Sequence, residues 1–190
     1  MLTFKFKFPK AFQAAAVVLR EHGGRANFIR LLKLLYITDR ELLAQTGRTL
    51  TGDEAIALPK GPALKTVHNL INGRGPNDEQ TEWNGAMHRA GDDVLLDRLV
   101  PTGKLTKAEE RKLHEVCERF RETSTEALWE QTHTYGEWKE AYAAEEANPI
   151  NWEVALADQG AGALVGEVRH IQHEAELIAA TFSEPSVGRR

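Results

Sequence analysis

Hydrophobic and polar positions along the chain repeat mostly at the 3.6-residue period of helices, with shorter runs of another kind at the start and in the middle. Phe4, Phe6 and Phe8 alternate with Lys5 and Lys7, which predicts a short strand or extended arm over residues 3–8, ended by Pro9. Residues 10–22 place Phe12, Ala15, Ala16 and Leu19 on one helical face, and Gly23-Gly24 offer the left-handed backbone that closes a helix. A longer helix follows, capped by Asn27, with Phe28, Leu31, Leu32, Leu35, Leu42 and Leu43 at helical spacing and Gly47 at its end. Thr51-Gly52-Asp53 is turn chemistry, and residues 54–58 read as a short strand. Pro62 suits the first position of a helix over residues 63–72 that carries Leu64, Val67 and Ile71. Gly, Pro, Asn and Asp make residues 74–81 an exposed loop. Residues 82–88 and 93–100 flank Ala90-Gly91-Asp92 as a hairpin, which joins the strand at 54–58 in one small antiparallel sheet.

The rest of the pattern is helical. Thr106 with Glu109, Thr123 with Glu126 and Thr134 with Glu137 each match the capping box, in which a hydroxyl and a carboxylate satisfy two backbone N–H groups at a helix start. Leu113, Val116, Cys117 and Phe120 form the buried stripe of the first of these helices, and Trp138, Ala141 and Tyr142 part of that of the third. Asn148-Pro149 breaks the third helix, and Asn151 caps a short one with Trp152 and Leu156. A final amphipathic helix after Gly162 runs to about residue 182, with Leu164, Val168, Ile171, Ala175 and Ile178 on one face. The expected class is α+β, mainly α-helical: a helical domain with a small antiparallel sheet of about three strands. That domain is expected over residues 1–148, a helical extension packed on it over 149–182, and a flexible tail over 183–190.

Composition narrows the classes further. A chain of 190 residues with 42% hydrophobic and 27% charged positions can bury a core without disulfides or metal, which excludes disordered and fibrous proteins. A net charge of −4 argues against non-specific binding to nucleic acid or anionic membrane. The charge is uneven, however: residues 1–74 hold 12 Lys/Arg against 5 Asp/Glu, and residues 75–190 hold 12 against 23. A single cysteine, Cys117, fits a reducing compartment. The N-terminus lacks the apolar core of a secretory signal, and no apolar run approaches the ~20 residues that span a bilayer, so a cytoplasmic protein without a membrane partner is expected.

Asp39 is the most informative candidate, because it falls inside the apolar arc of the helix that begins at Phe28. A carboxylate there needs hydrogen-bond donors. One reading makes it the anchor of the following loop, taking donors from around Thr51-Gly52; the other makes it a general base or metal ligand, which requires partners converging on one cleft. Such partners are hard to find. His170, His173 and Glu174 match neither H-E-x-x-H nor H-x-x-E-H and point away from the apolar stripe, so no metal site is assigned. His68 borders an apolar helix face and reads as a packed core histidine, and Cys117 on a buried stripe reads as an inert thiol. No G-x-S-x-G elbow is present, and Pro59-Lys60-Gly61-Pro62 lacks phosphate-loop spacing. The tryptophans at 83, 129, 138 and 152 read as core or interface anchors. No catalytic residue and no cofactor is assigned.

Over residues 30–73 the chain resembles the Panacea domain of SocA-like antitoxins, a family also described as phage-associated proteins. The residues that carry the resemblance are Lys33-Leu34-Leu35-Tyr36, Asp39-Arg40-Glu41, Gly47-Arg48, Thr51-Gly52 and the Pro59, Gly61 and Pro62 of a P-x-G-P turn. Leu105-Thr106, and His133 followed by Trp138, extend it, so that it covers about residues 10–145. The resemblance implies an antitoxin that neutralises a toxin encoded by an adjacent gene through direct protein–protein contact, with no catalytic activity of its own. It also implies an alternative, an adaptor that delivers the toxin to a cytosolic AAA+ protease. A hydrolase using Asp39 and histidines is a third class. Some relatives carry a helix-turn-helix; these 190 residues show none, and with the acidic second half this argues against direct DNA binding. Arg40, Arg48 and Lys60 are expected as exposed toxin contacts from the basic segment, while the acidic helices over residues 106–146 offer a surface for a basic toxin.

Overall fold

A computed structural model describes residues 1–143 and 149–183, the side chains of 175–176 and 178–183 excepted. The protein is mainly helical with a small antiparallel sheet, as the patterning predicts. An extended arm over residues 2–7 leads into α1 (Phe8–Glu21), which begins two residues earlier than expected with Pro9 in its first turn. The short strand β1 (Arg25–Asn27) precedes α2 (Phe28–Thr46). Asn27 caps α2 by accepting from Ile29 N–H at 2.9 Å, and Gly47 ends it at φ +69°.

The structure divides the expected sheet in two. One sheet has the order β1-β5-β4, built from β1 and the hairpin of β4 (Met87–Ala90) and β5 (Asp93–Leu96). Its register pairs Ala26 with Val94 and Arg89 with Val94. The strand expected at 54–58 belongs elsewhere: β2 (Ala55–Leu58) turns back through Pro59-Lys60 into β3 (Gly61–Leu64), as a separate hairpin. Pro62 therefore sits in a strand opposite Ala57, and α3 (Lys65–Ile71) starts three residues later. A proline whose missing N–H faces away from its only ladder partner is compatible with a strand. β1 escaped notice because three residues carry no readable period.

Two further expectations are corrected. The presumed loop over 74–81 contains the start of α4 (Asn77–Asn84), with Asp78 and Glu79 in its first turn, and Trp83 is a helical core residue, 1% exposed, rather than part of a strand. Of the three capping boxes one forms: Thr106 and Glu109 exchange both bonds at the start of α5 (Lys107–Arg119). At α6 (Thr125–Thr132) the cap is Ser124, not Thr123. At α7 (Gly136–Ala143) the Thr134 hydroxyl donates back to Gln131 O, and Glu137 turns into the core. Asn151 caps α8 (Trp152–Asp158), and α9 (Leu164–Ser183) follows. On α9, Val168 is buried and Ile171 is 38% exposed; the side chains of Ala175 and Ile178 lie outside the described residues, as do Asn148 and residues 184–190.

α2 is the hub of this arrangement. It packs against α1, α3, α5, α6, α8, β1 and β3, and buries fourteen of its nineteen residues, Arg30, Lys33, Thr38, Asp39 and Arg40 among them. Sequence spacing describes an amphipathic helix with one apolar arc, but a helix surrounded on this many sides has no polar face left to hydrate. Each of its polar side chains must find a partner on a neighbouring element or on its own backbone. Those partners determine where the neighbours sit.

Candidate functional site

From its N-terminal end, α2 reaches its neighbours in sequence order. Arg30 donates from Nε to His22 Nε2 at 2.8 Å, from NH1 to Thr123 O at 2.6 Å and from NH2 to Phe120 O, and so holds the turn that follows α5. Lys33, 2% exposed, donates to Pro62 O of β3 at 2.6 Å. Gly61 beside it has φ +87°, and a Cβ there would strike the Thr132 hydroxyl and crowd the Lys33 chain. Burial pushes the Lys33 ammonium down to about 7. The unfolded chain thus binds the Lys33 proton more tightly than the folded one, so burying the charge destabilises fully below pH 7 and progressively less as pH rises towards 10. The stability of the wild type relative to Lys33→Met, followed by urea denaturation, is expected to rise between pH 7 and 9 by up to about 1.4 kcal/mol per pH unit; a flat difference contradicts the assignment.

One turn farther on, a knot of charge ties α2 to α7 and α8. The Tyr36 hydroxyl donates to Glu137 Oε1 at 2.8 Å, and Arg40 donates from Nε to the same oxygen at 2.5 Å and from NH2 to Asp158. The Arg40 guanidinium also lies 4.1 Å from the Tyr135 ring centroid. Arg40 is 8% exposed, so it is an internal clamp and offers no free surface, contrary to its expected role as an exposed contact. Glu41, half-buried, pairs with Arg119 at 2.5 Å and Lys112 at 3.6 Å of α5.

Asp39 is fully buried and accepts from Leu50 N–H at 2.8 Å, Thr51 N–H at 2.9 Å and the Thr51 hydroxyl. Burial pushes its carboxyl up to about 7, against the pull of those donors. Gly52 N–H goes to the Thr49 hydroxyl, and the left-handed backbone of Gly52, φ +66°, lets the N-terminal arm cross so closely that a Cβ would collide with Lys5 O. Asp53, which the sequence reading treated only as turn chemistry, accepts from Thr66 N–H at 2.9 Å and Val67 N–H at 3.0 Å and so caps α3 from a distance. Asp39 has no histidine among these partners, and no cluster of three or more His, Cys, Asp and Glu suited to a metal is present among the described residues. Cys117 is buried, and burial raises its thiol to about 12, leaving it protonated at neutral pH. His170 and His173 are exposed, and His68 is half-buried beside a cavity rather than in the core.

What remains at the surface is the β2–β3 turn and its surroundings. Pro59 and Lys60 are exposed, and the Lys60 ammonium stands 4.7 Å from the Trp129 ring centroid. Trp138 Nε1 donates to Leu58 O at 3.1 Å, pinning α7 to the hairpin. The Trp138 ring stacks between His133, centroids 4.1 Å apart, and Tyr142, 4.7 Å apart and 44% exposed. Across the hairpin a cavity of about 300 Å³ opens, walled by Phe28, Leu32 and Lys33 of α2, by Leu58, Lys60 and Ala63 of the hairpin, and by His68 of α3. Arg48 is exposed on the far side of Gly47 and lines neither feature.

The model of the SocA-like antitoxin family, Panacea domain, matches residues 31–139, more than half of the chain. The chain belongs to this family. No curated protein and no solved structure matches it. The matched span runs from the end of the first turn of α2 into α7, so the Tyr36–Glu137 and Arg40–Glu137 bonds join its two ends. In the Panacea domain of this chain the motif residues Lys33, Tyr36, Asp39, Arg40, Thr51, Gly52, Gly61 and Pro62 are buried, and Pro59 with Lys60 forms the exposed turn. Glu137 is the site residue that the sequence reading placed in the wrong role; its spacing from Thr134 matched a cap, and nothing local marks it as the partner of Arg40, 97 positions away.

Proposed function

We propose that the chain is the antitoxin of a toxin–antitoxin pair and neutralises a toxin encoded by an adjacent gene through direct protein–protein contact, without chemistry of its own. The observation that carries this reading is the family match over residues 31–139. The site geometry supports it. The titratable groups Lys33, Asp39 and Arg40 are bonded inside the scaffold, and the surface carries the exposed turn Pro59-Lys60, with Lys60 over the Trp129 ring. Surface aromatic groups beside a cation are the side chains that anchor protein interfaces.

The test is co-expression with the product of the adjacent gene. The expected result is restored growth and co-purification of the two chains, in hosts with and without the cytosolic AAA+ proteases. Protection that disappears in the protease-deficient host, with binding retained, replaces neutralisation by contact with an adaptor function. Failure to protect or to bind in either host overturns the proposal.

A further inference from the structure

The cavity between α2 and the β2–β3 hairpin has a specific chemistry. Its nine lining residues comprise six apolar ones, Phe28 and Leu58 among them, together with Lys33, Lys60 and His68, and none is acidic. Arg89 covers the Phe28 ring from outside the lining, 4.0 Å from its centroid, and is itself paired with Asp92 at 3.8 Å. Lys33 has three N–H donors and one hydrogen bond, to Pro62 O; it makes no ion pair among the described residues, and it is 2% exposed. An ammonium buried with a single neutral acceptor is favourably placed for an incoming anion. A volume of about 300 Å³ stands at the small end of ligand pockets and accommodates one or two side chains.

We propose that this groove is the docking site of the toxin, and that it takes an apolar side chain flanked by a carboxylate from one segment of the toxin chain. The apolar walls receive the side chain, while Lys60 and Lys33 face the carboxylate. Charge complementarity selects the occupant: a neutral apolar segment leaves Lys33 without a counter-charge, and a basic one meets Lys60 and Lys33 with no carboxylate in the lining to receive it. This inference rests on the antitoxin reading and locates its binding surface.

The test uses two rim variants and a control. Lys60→Glu reverses an exposed charge. Phe28→Glu removes an apolar wall at the first residue of α2, where the helix dipole tolerates a carboxylate. Arg111→Glu reverses a charge on the exposed side of α5, away from the groove. All three are checked for an unchanged thermal midpoint. In the first arm the protein alone is titrated with 8-anilinonaphthalene-1-sulfonate, an apolar anion whose fluorescence reports binding. The folded wild type and Arg111→Glu are expected to bind it, the rim variants about tenfold more weakly, and the purified toxin to displace it. In the second arm, rim variants are expected to lose rescue and co-purification with the adjacent-gene product, while Arg111→Glu keeps both. A wild type that rescues together with rim variants that rescue equally well overturns the groove and leaves the antitoxin reading standing. A wild type that neither rescues nor binds, while still taking up the dye, overturns the antitoxin reading and with it the toxin as occupant. A toxin-free dimer dissolved by Lys60→Glu assigns the groove to a second copy and overturns the proposal.

Discussion

Glu137→Ala is expected to cost about 3–5 kcal/mol of stability, the loss typical of breaking a buried charge pair by removing one partner. Glu137 is 1% exposed and is the acceptor for both the Tyr36 hydroxyl and Arg40 Nε. Its removal leaves the Tyr36 hydroxyl without its acceptor and Arg40 with Asp158 alone, whose side chain is 35% exposed. The same carboxylate holds α7 against α2, so the loss carries the His133–Trp138–Tyr142 stack with it. Urea denaturation of the variant measures the cost. The double replacement Arg40→Met with Glu137→Leu is expected to recover the part of the loss due to the uncompensated Arg40 charge, while the Tyr36 hydroxyl stays without its acceptor. A cost below 1 kcal/mol for Glu137→Ala contradicts the clamp.

Asp39→Ala is expected to remove about 3 kcal/mol or more at pH 5, because three buried donors, on Leu50 and Thr51, lose their acceptor together at about 1–3 kcal/mol each. The pH dependence has a definite sign. The folded carboxyl is raised to about 7 from an ordinary value near 4, so its contribution is complete below pH 4 and is lost as pH rises through 7. The wild type is therefore expected to lose stability relative to Asp39→Asn by up to about 4 kcal/mol between pH 4 and pH 7. Asp39→Ala that leaves the thermal midpoint unchanged removes the structural anchor; a pH-independent difference from Asp39→Asn removes the burial argument.

Both effects follow from the environment of α2, and that environment is also where sequence reasoning stopped. Periodicity locates the helix, Asn27 and Gly47 bound it, and the position of Asp39 on the apolar arc announces a buried carboxylate with local donors. Local chemistry cannot reveal that the opposite face is buried as well, which turns Arg40 from an expected surface contact into a clamp. Glu137 illustrates the same limit from the other side: a capping spacing at i, i+3 is satisfied locally in many helices, and only the tertiary approach of α2 decides that this carboxylate points inward. Pro62 suited two local structures, a helix start and a strand, and Ala57 across the hairpin selected the strand. The groove was out of reach altogether, since its walls come from segments that meet only in the fold.

The charge asymmetry acquires a location as well. Within the basic segment, Lys33 and Lys60 line the groove, Arg30 and Arg40 are internal, and Arg48 stands apart. In the acidic segment Glu137 is internal, while Glu118, Glu122, Glu126 and Glu130 stay exposed on α5, α6 and the turn between them. Solvated surface charges of this kind influence association rate more than complex stability.

The claim at the centre of this account is neutralisation by binding without turnover, and titration of the purified toxin's activity with the purified protein tests it most directly. Binding without turnover predicts toxin activity that falls linearly with added protein and is abolished at a fixed molar ratio, with no dependence on incubation time once the complex has formed. Inhibition that continues to develop with time at amounts far below the toxin concentration would contradict it, because only an enzyme acting repeatedly on its toxin behaves that way.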